Sequence, residues 1–190
     1  MSAWTQAVVS AVVAVLFYQP VLVFASGQTL PAGATRLTHS ANGVPLIQIA
    51  PPDQSGVSHN RYQQFNVGDQ GMVLNNATRQ VDTAIAGQVG ANPHLSTSGS
   101  ARVIINEVTG SGRSSLTGIT EVAGDAAETI IANPWGIDCD GCGFINMPAA
   151  TLSTGRPLYD SGEFSGLSVE RGYIRVGRGG LDASAIDRIN

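Results

Sequence analysis

The sequence predicts an all-β chain, and within that class it favours a solenoid of stacked coils over a sandwich of hairpins. Past Ala25 the chain is a succession of short apolar runs broken by Gly, Asn, Asp, Ser and Pro, and no run keeps a helical apolar period over three turns. The apolar content, 43% of 190 residues, is carried by Ala, Val, Ile and Leu beside 23 Gly, with 6% aromatic residues, and small β-branched residues plus Gly favour strands joined by tight turns. Several runs set two apolar β-branched residues side by side before Asn or Ala, as in Val103-Ile104-Ile105-Asn106 and Thr129-Ile130-Ile131-Ala132-Asn133. A β-sandwich also has many short strands with regular turns, and it stays the competing architecture.

Taken in order, strands are expected near 44–49, 62–67, 72–74, 102–108, 116–122, 128–132, 144–147 and 167–176. Each is an apolar run ended by turn residues. Asn after a strand can stack on its equivalent in the next coil and satisfy backbone groups of the turn. Ala123, Ala126, Ala127, Ala149 and Ala150 suit a narrow coil interior. There is no exact repeat, so the period is structural rather than sequential.

Composition removes several functions. A net charge of −4 provides no basic stripe to neutralise phosphates, so nucleic acid is not an expected partner. All ten basic residues are Arg, and the absence of Lys excludes a P-loop lysine, a Schiff-base amine and a Ser-Lys pair. No cofactor is implied.

The run Ala7–Val23, broken at Tyr18-Gln19-Pro20, reads as a signal peptide over residues 1–25, with Val23 and Ala25 fitting cleavage after Ala25. Pro20 and the missing basic stop-transfer flank count against a retained membrane helix, so no stable membrane insertion is expected after signal removal. No basic residue precedes Arg36, which leaves open a start upstream of Met1. Residues 26–190 are then one exported domain in an oxidising compartment.

Two Asn-Pro turns organise this domain: Asn92-Pro93-His94-Leu95 and Asn133-Pro134-Trp135-Gly136-Ile137. Asn bonds its own backbone ahead, Pro fixes φ, and a following Gly supplies a position without Cβ restraint. The second runs directly into Cys139-Asp140-Gly141-Cys142-Gly143-Phe144-Ile145-Asn146. In this order the motifs resemble the NPNL-type, NPNGI-type and CxxCGFIN-like segments of the two-partner secretion domain of filamentous haemagglutinins, large haemolysins and contact-dependent growth inhibition exoproteins. Further matching stretches are Ser58–Val67, Gly71–Asn76, Gly172-Tyr173-Ile174-Arg175-Val176-Gly177 and Gly180-Leu181-Asp182, so the resemblance spans Gly27–Asn190. His94 and Trp135 replace the Asn that the family prefers at the third motif position.

The resemblance implies a right-handed parallel β-helix with an N-terminal cap. It implies a secretion-targeting domain of an adhesin, haemolysin or toxin, recognised while poorly folded in the periplasm by the periplasmic domains of an outer-membrane β-barrel transporter, and bound for the medium or the cell surface. By carry-over, Asn92, Pro93, Leu95, Asn133, Pro134, Gly136 and Ile137 are the recognition positions, acting by contact with the transporter or by shaping the fold. Family members continue well past this length, so the domain is expected to be incomplete at its C-terminal end.

Cys139 and Cys142 admit three readings. In an exported chain with only these two thiols a local disulfide is favoured, and a loop this short would stabilise by roughly 2 kcal/mol on the chain-entropy estimate. A redox pair would sit at a helix N-terminus, which Gly141 and Gly143 oppose. Zinc would need two further ligands, and His39, His59 and His94 have no suitable spacing to the pair, so no metal is expected. Parallel β-helices also house polysaccharide lyases and hydrolases, the enzymatic alternative; here the acidic residues are scattered and Asp138/Asp140 is the one close pair.

Overall fold

A computed structural model describes residues 29–190, and the signal-peptide reading lies outside these residues. A cap of β1 (Leu30–Ala32) and β2 (Arg36–His39) leads into the first coil, β3 (Pro45–Gln48) and β4 (Val57–Gln64). The second coil opens with β5 (Met72–Asn76) and leaves the stack for a hairpin, β6 (Val81–Thr83) and β7 (Gly87–Val89). After a single 3-10 turn at Pro93–Leu95 it returns as β8 (Val103–Val108) and β9 (Ser114–Leu116). The third coil is β10 (Ile119–Gly124), β11 (Glu128–Ala132) and β12 (Ile137–Cys139). The fourth is β13 (Cys142–Ile145) and β14 (Met147–Ser153), a second hairpin of β15 (Gly155–Asp160) and β16 (Glu163–Val169), then β17 (Ile174–Val176). A fifth begins with β18 (Leu181–Asp182) and β19 (Ile186–Ile189).

Like strands of successive coils stack into three sheets. The first runs β1-β4-β8-β11-β14-β19, the second β2-β3-β5-β10-β13-β18, and the third β9-β12-β17. Within the coils every pairing is parallel; the cap strands pair antiparallel, β1 on β4 and β2 on β3, and so cover the first coil. This is a parallel β-helix rather than a sandwich, as the sequence predicted. No helix among the described residues is long and apolar enough to cross a membrane.

The registers build the core. Ile47, Leu74 and Val122 follow one another up the second sheet, and Ile104, Thr129 and Ala150 up the first. These columns meet Phe65, Leu95, Leu116, Ile131, Ile137 and Phe144 in one interior cluster. Each fully buried aliphatic side chain of this kind contributes about 1.5–3 kcal/mol.

The paired β-branched residues follow from burial on both faces of their strands. Ile104 and Ile131 face the interior, whereas their neighbours Ile105 and Ile130 face outward beneath the β15–β16 hairpin, packed with Val57, Ala132, Phe164 and Leu167. The second sheet is covered likewise: Leu46, Val73 and Ala123 lie under the β6–β7 hairpin with Ala86 and Val89. Both faces of a strand are then apolar, which removes the alternation of a half-exposed sheet. Ala127 and Ala150 line the interior as expected, but Ala123 lies beneath a hairpin and Ala126 is exposed at a corner.

Glu121 holds the first hairpin in place. It stands on the outer face of β10, 5% exposed, and its carboxylate accepts the Ala84 N–H at 2.7 Å and the Ile85 N–H at 3.0 Å.

Candidate functional site

The two Asn-Pro corners are built alike. Asn92 lies after β7 in an extended conformation, φ −72° and ψ 119°, and caps the 3-10 turn that Pro93 begins. Its side-chain carbonyl accepts the His94 N–H at 2.9 Å, and its amide donates to the carbonyls of Ile49 at 3.0 Å and Asn75 at 2.9 Å. Its backbone N–H donates to Ala77 at 2.8 Å, and its carbonyl accepts from Leu95 at 3.1 Å. One residue therefore ties the end of the hairpin excursion to the first and second coils, while Leu95 enters the core at 1% exposure.

Asn133 repeats the pattern between β11 and β12. Its side-chain carbonyl accepts the Trp135 N–H at 2.9 Å, and its amide donates to the Gly112 carbonyl at 2.9 Å and the Ser114 hydroxyl at 3.0 Å. Its backbone N–H donates to Ser153 and its carbonyl accepts from Gly136, both at 2.9 Å. The second, third and fourth coils meet on this residue. Gly136 has φ +113°, and a Cβ there would lie 2.0 Å from an Arg113 guanidinium nitrogen and 2.7 Å from the Tyr173 carbonyl oxygen, so no larger residue fits.

Of the seven motif positions, Asn92, Leu95, Asn133, Pro134, Gly136 and Ile137 are buried and Pro93 is exposed. At the third motif positions the side chains take up other contacts. The His94 ring nitrogen Nδ1 lies 3.1 Å from the Ile49 carbonyl oxygen that Asn92 also engages. Trp135 is 38% exposed and carries the Arg171 guanidinium 3.8 Å from its ring centre.

Beside the second corner, the Arg113 guanidinium bonds both oxygens of Asp138 at 2.8 and 2.9 Å and stacks 3.9 Å from the centre of the Tyr173 ring. Arg175 approaches Asp138 at 2.9 Å. The hydrogen bonds from Arg113, with the charges of Arg113 and Arg175, hold the Asp138 carboxyl below its ordinary value against some desolvation. Asp138 thus serves a charge ladder across the third sheet. Arg171, Arg175 and Arg178 are all exposed, with Arg175 ion-paired to Asp138 and Arg171 stacked on Trp135.

Cys139 and Cys142 form a disulfide between β12 and β13, both buried, with Asp140 and Gly141 exposed at the turn between them. The redox and zinc readings of this pair give way to the structural bond.

Sequence reasoning missed how widely Asn staples the coils. Asn76 accepts the Ala101 N–H at 2.7 Å and donates to the carbonyls of Ala101 and Asp125, each at 2.9 Å. Asn75 accepts from the Ala77 N–H at 3.1 Å and donates to Gln48 and Gly90, each at 3.0 Å. Asn146, at φ +58°, donates to Val122 and Gly124. Asn60 and Asn106 do stand in register, but these asparagines bond to backbone and side chains both within their own coil and across to the next rather than to like Asn. The available signal was an Asn at the end of most apolar runs.

The chain has close relatives among known proteins. The TPS secretion domain family matches residues 23–190. The chain is 47% identical over 190 residues to the 16S rRNA endonuclease CdiA of Enterobacter cloacae, a match covering 98% of this chain and 6% of that protein. It is 41% identical over 167 residues to the filamentous hemagglutinin of Bordetella pertussis, covering 88% of this chain and 4% of that one. The chain thus spans a small fraction of the length of these relatives. The crystal structure of a filamentous hemagglutinin secretion domain superposes with a TM-score of 0.79 at 39% identity, over 85% of this chain and 53% of that one. The chain belongs to the TPS secretion domain family, the secretion-targeting domains of large exported exoproteins.

Proposed function

We propose that the domain is recognised before its coils close, by the periplasmic domains of a partner outer-membrane β-barrel transporter, and that Asn92 and Asn133 act by driving the fold that follows. The supporting observation is the saturation of both asparagines. Each has its side-chain carbonyl and both amide donors satisfied within the chain, and each is at most 2% exposed. A side chain so engaged has nothing left to offer a partner unless the corner opens, and opening strands several buried polar groups. An unfolded chain presents the same asparagines freely.

The domain itself performs no chemical step in this reading and takes no cofactor. The polysaccharide lyase or hydrolase alternative is set aside, because the matching family is a secretion domain. The test is binding of the transporter's periplasmic domains to the native domain and to the same domain held open in mild urea. Binding confined to the open form is expected; equal affinity for the native domain would overturn the reading. Co-expression with the transporter of the parent, Asn92→Ala and Asn133→Ala, followed by measuring protein outside the cell, then reports how far each corner matters for export.

A further inference from the structure

Cys139 and Cys142 lie where the third coil becomes the fourth, 0% and 1% exposed. The coil that follows closes over them. Val176 stands in register with Cys139 and Leu181 with Cys142, the Gly177 N–H donates to the Cys139 carbonyl at 2.7 Å, and the Gly141 N–H donates to the Gly180 carbonyl at 2.9 Å. From within, Leu116, Ile137 and Phe144 pack the same cluster. Thiol–disulfide exchange needs an attacking sulfur in contact with its target, and this interior leaves no approach for another protein's active site. Making the bond, by contrast, requires none of the fold. The cysteines are three positions apart, and the intervening turn has Gly141 at φ +90°.

We infer that the Cys139–Cys142 bond is made in the periplasm on the unfolded chain and crosses the outer membrane already closed. This rests on the reading of export through the periplasm. The oxidant is a protein disulfide of the thiol-oxidase class. The thiolate of one cysteine attacks it, forming a mixed disulfide and releasing one oxidant thiolate. The second cysteine's thiolate then attacks the mixed disulfide, closes the loop and releases the other. Two protons leave the chain, and two electrons reduce the oxidant to its dithiol. Folding outside the cell then seals the bond, so the redox state of the secreted domain preserves the state it had before passage.

Two measurements test this with the full chain. In the first, the chain is produced in cells lacking the transporter, so that it is held in the periplasm, and in cells possessing it. Both samples are quenched in acid, denatured and treated with a maleimide, and the mass is read. Unlabelled chain in both places is expected, as is doubly labelled secreted chain when the periplasmic thiol oxidase is removed. Free thiols on the periplasmic chain together with a closed bond on the secreted chain would place oxidation outside and overturn the inference. Failure of any chain to appear outside would instead count against the export reading. In the second, the purified oxidised chain is offered dithiothreitol, native and in urea; reduction of the native chain is expected to be slower by a factor of about 100 or more, since it needs local opening. Equal rates would show the sulfurs to be accessible after folding and would remove the basis of the ordering.

Discussion

Asn133 cannot be replaced by a residue that keeps only part of its bonding. Alanine leaves the Trp135 N–H and the Gly112 carbonyl without their partner, and losses of this kind at a part-buried corner cost about 1–3 kcal/mol. Aspartate keeps the acceptor but, when ionised, offers no donor and turns a charge towards the Gly112 carbonyl. Asn133→Asp is therefore expected to destabilise at least as much as Asn133→Ala at pH 7 and to recover part of the loss at pH 4, where protonation restores one donor; urea midpoints at the two pH values check this. Asp138 responds to acid for a different reason. Its folded pKa lies below the ordinary 3.8, so its stabilising contribution is complete above that value and is lost as pH falls through the folded pKa. Asp138→Asn should lower stability at pH 7 and flatten the acid limb of the stability profile below about pH 4, measured by urea unfolding across that range.

At the scale of elements, the two hairpins distinguish this coil stack from a plain solenoid. Each covers an outer sheet face that would otherwise expose valines and isoleucines. The β6–β7 hairpin depends on Glu121, whose charged hydrogen bonds to the Ala84 and Ile85 amides are of the kind worth about 1.5–3 kcal/mol each in a buried setting. Glu121→Gln retains one acceptor oxygen and should release the hairpin without unfolding the coils. Hydrogen exchange at Ala84 and Ile85 is expected to accelerate while Ile104 and Ile131 stay protected; global acceleration would show that the hairpin is not a separate unit.

Legibility in the sequence follows the same division. Glu128–Ala132 was read with its true limits because its apolar run ends at a real corner. The start of β4 was missed because Ser58 and Asn60 point inward, so polar residues occupy the interior face and Tyr62 looked like the first strand residue. One strand was expected across 116–122, where the chain turns at Thr117 and Gly118, and the strand expected at 144–147 crosses the corner at Asn146. A strand at 167–176 merged the hairpin with β17. Gly118 and Asn146 mark these corners, but a single turn residue between two apolar runs is easily read through. The Asn-Pro motifs were legible as corners, whereas the burial of Asn92 and Asn133 was not, since burial depends on which coil stacks beside them.

The whole molecule folds by closing coils, and each closure joins residues far apart in sequence. His59 meets Glu107 across 48 residues, and the Asn106 amide reaches Ile130 across 24. Neither pair gains anything until the intervening chain, including a hairpin in the first case, has been brought round, so loop entropy is lost before strand pairing repays it. The cap adds one more distant pairing, β1 on β4 with Pro31 opposite Tyr62, whereas β2 on β3 is a local hairpin with His39 opposite Pro45. Slow closure of this kind is what the proposed capture before folding requires. Refolding of the oxidised domain from urea is therefore expected on the order of seconds, as for other folds dominated by non-local pairing. Proline isomerisation adds slower phases of tens of seconds, which a brief unfolding pulse before refolding removes, since the X-Pro bonds then retain their native isomers. If the phase that remains after such a pulse is complete within about 10 ms, coil closure is fast and slow folding cannot be what keeps the domain available for capture.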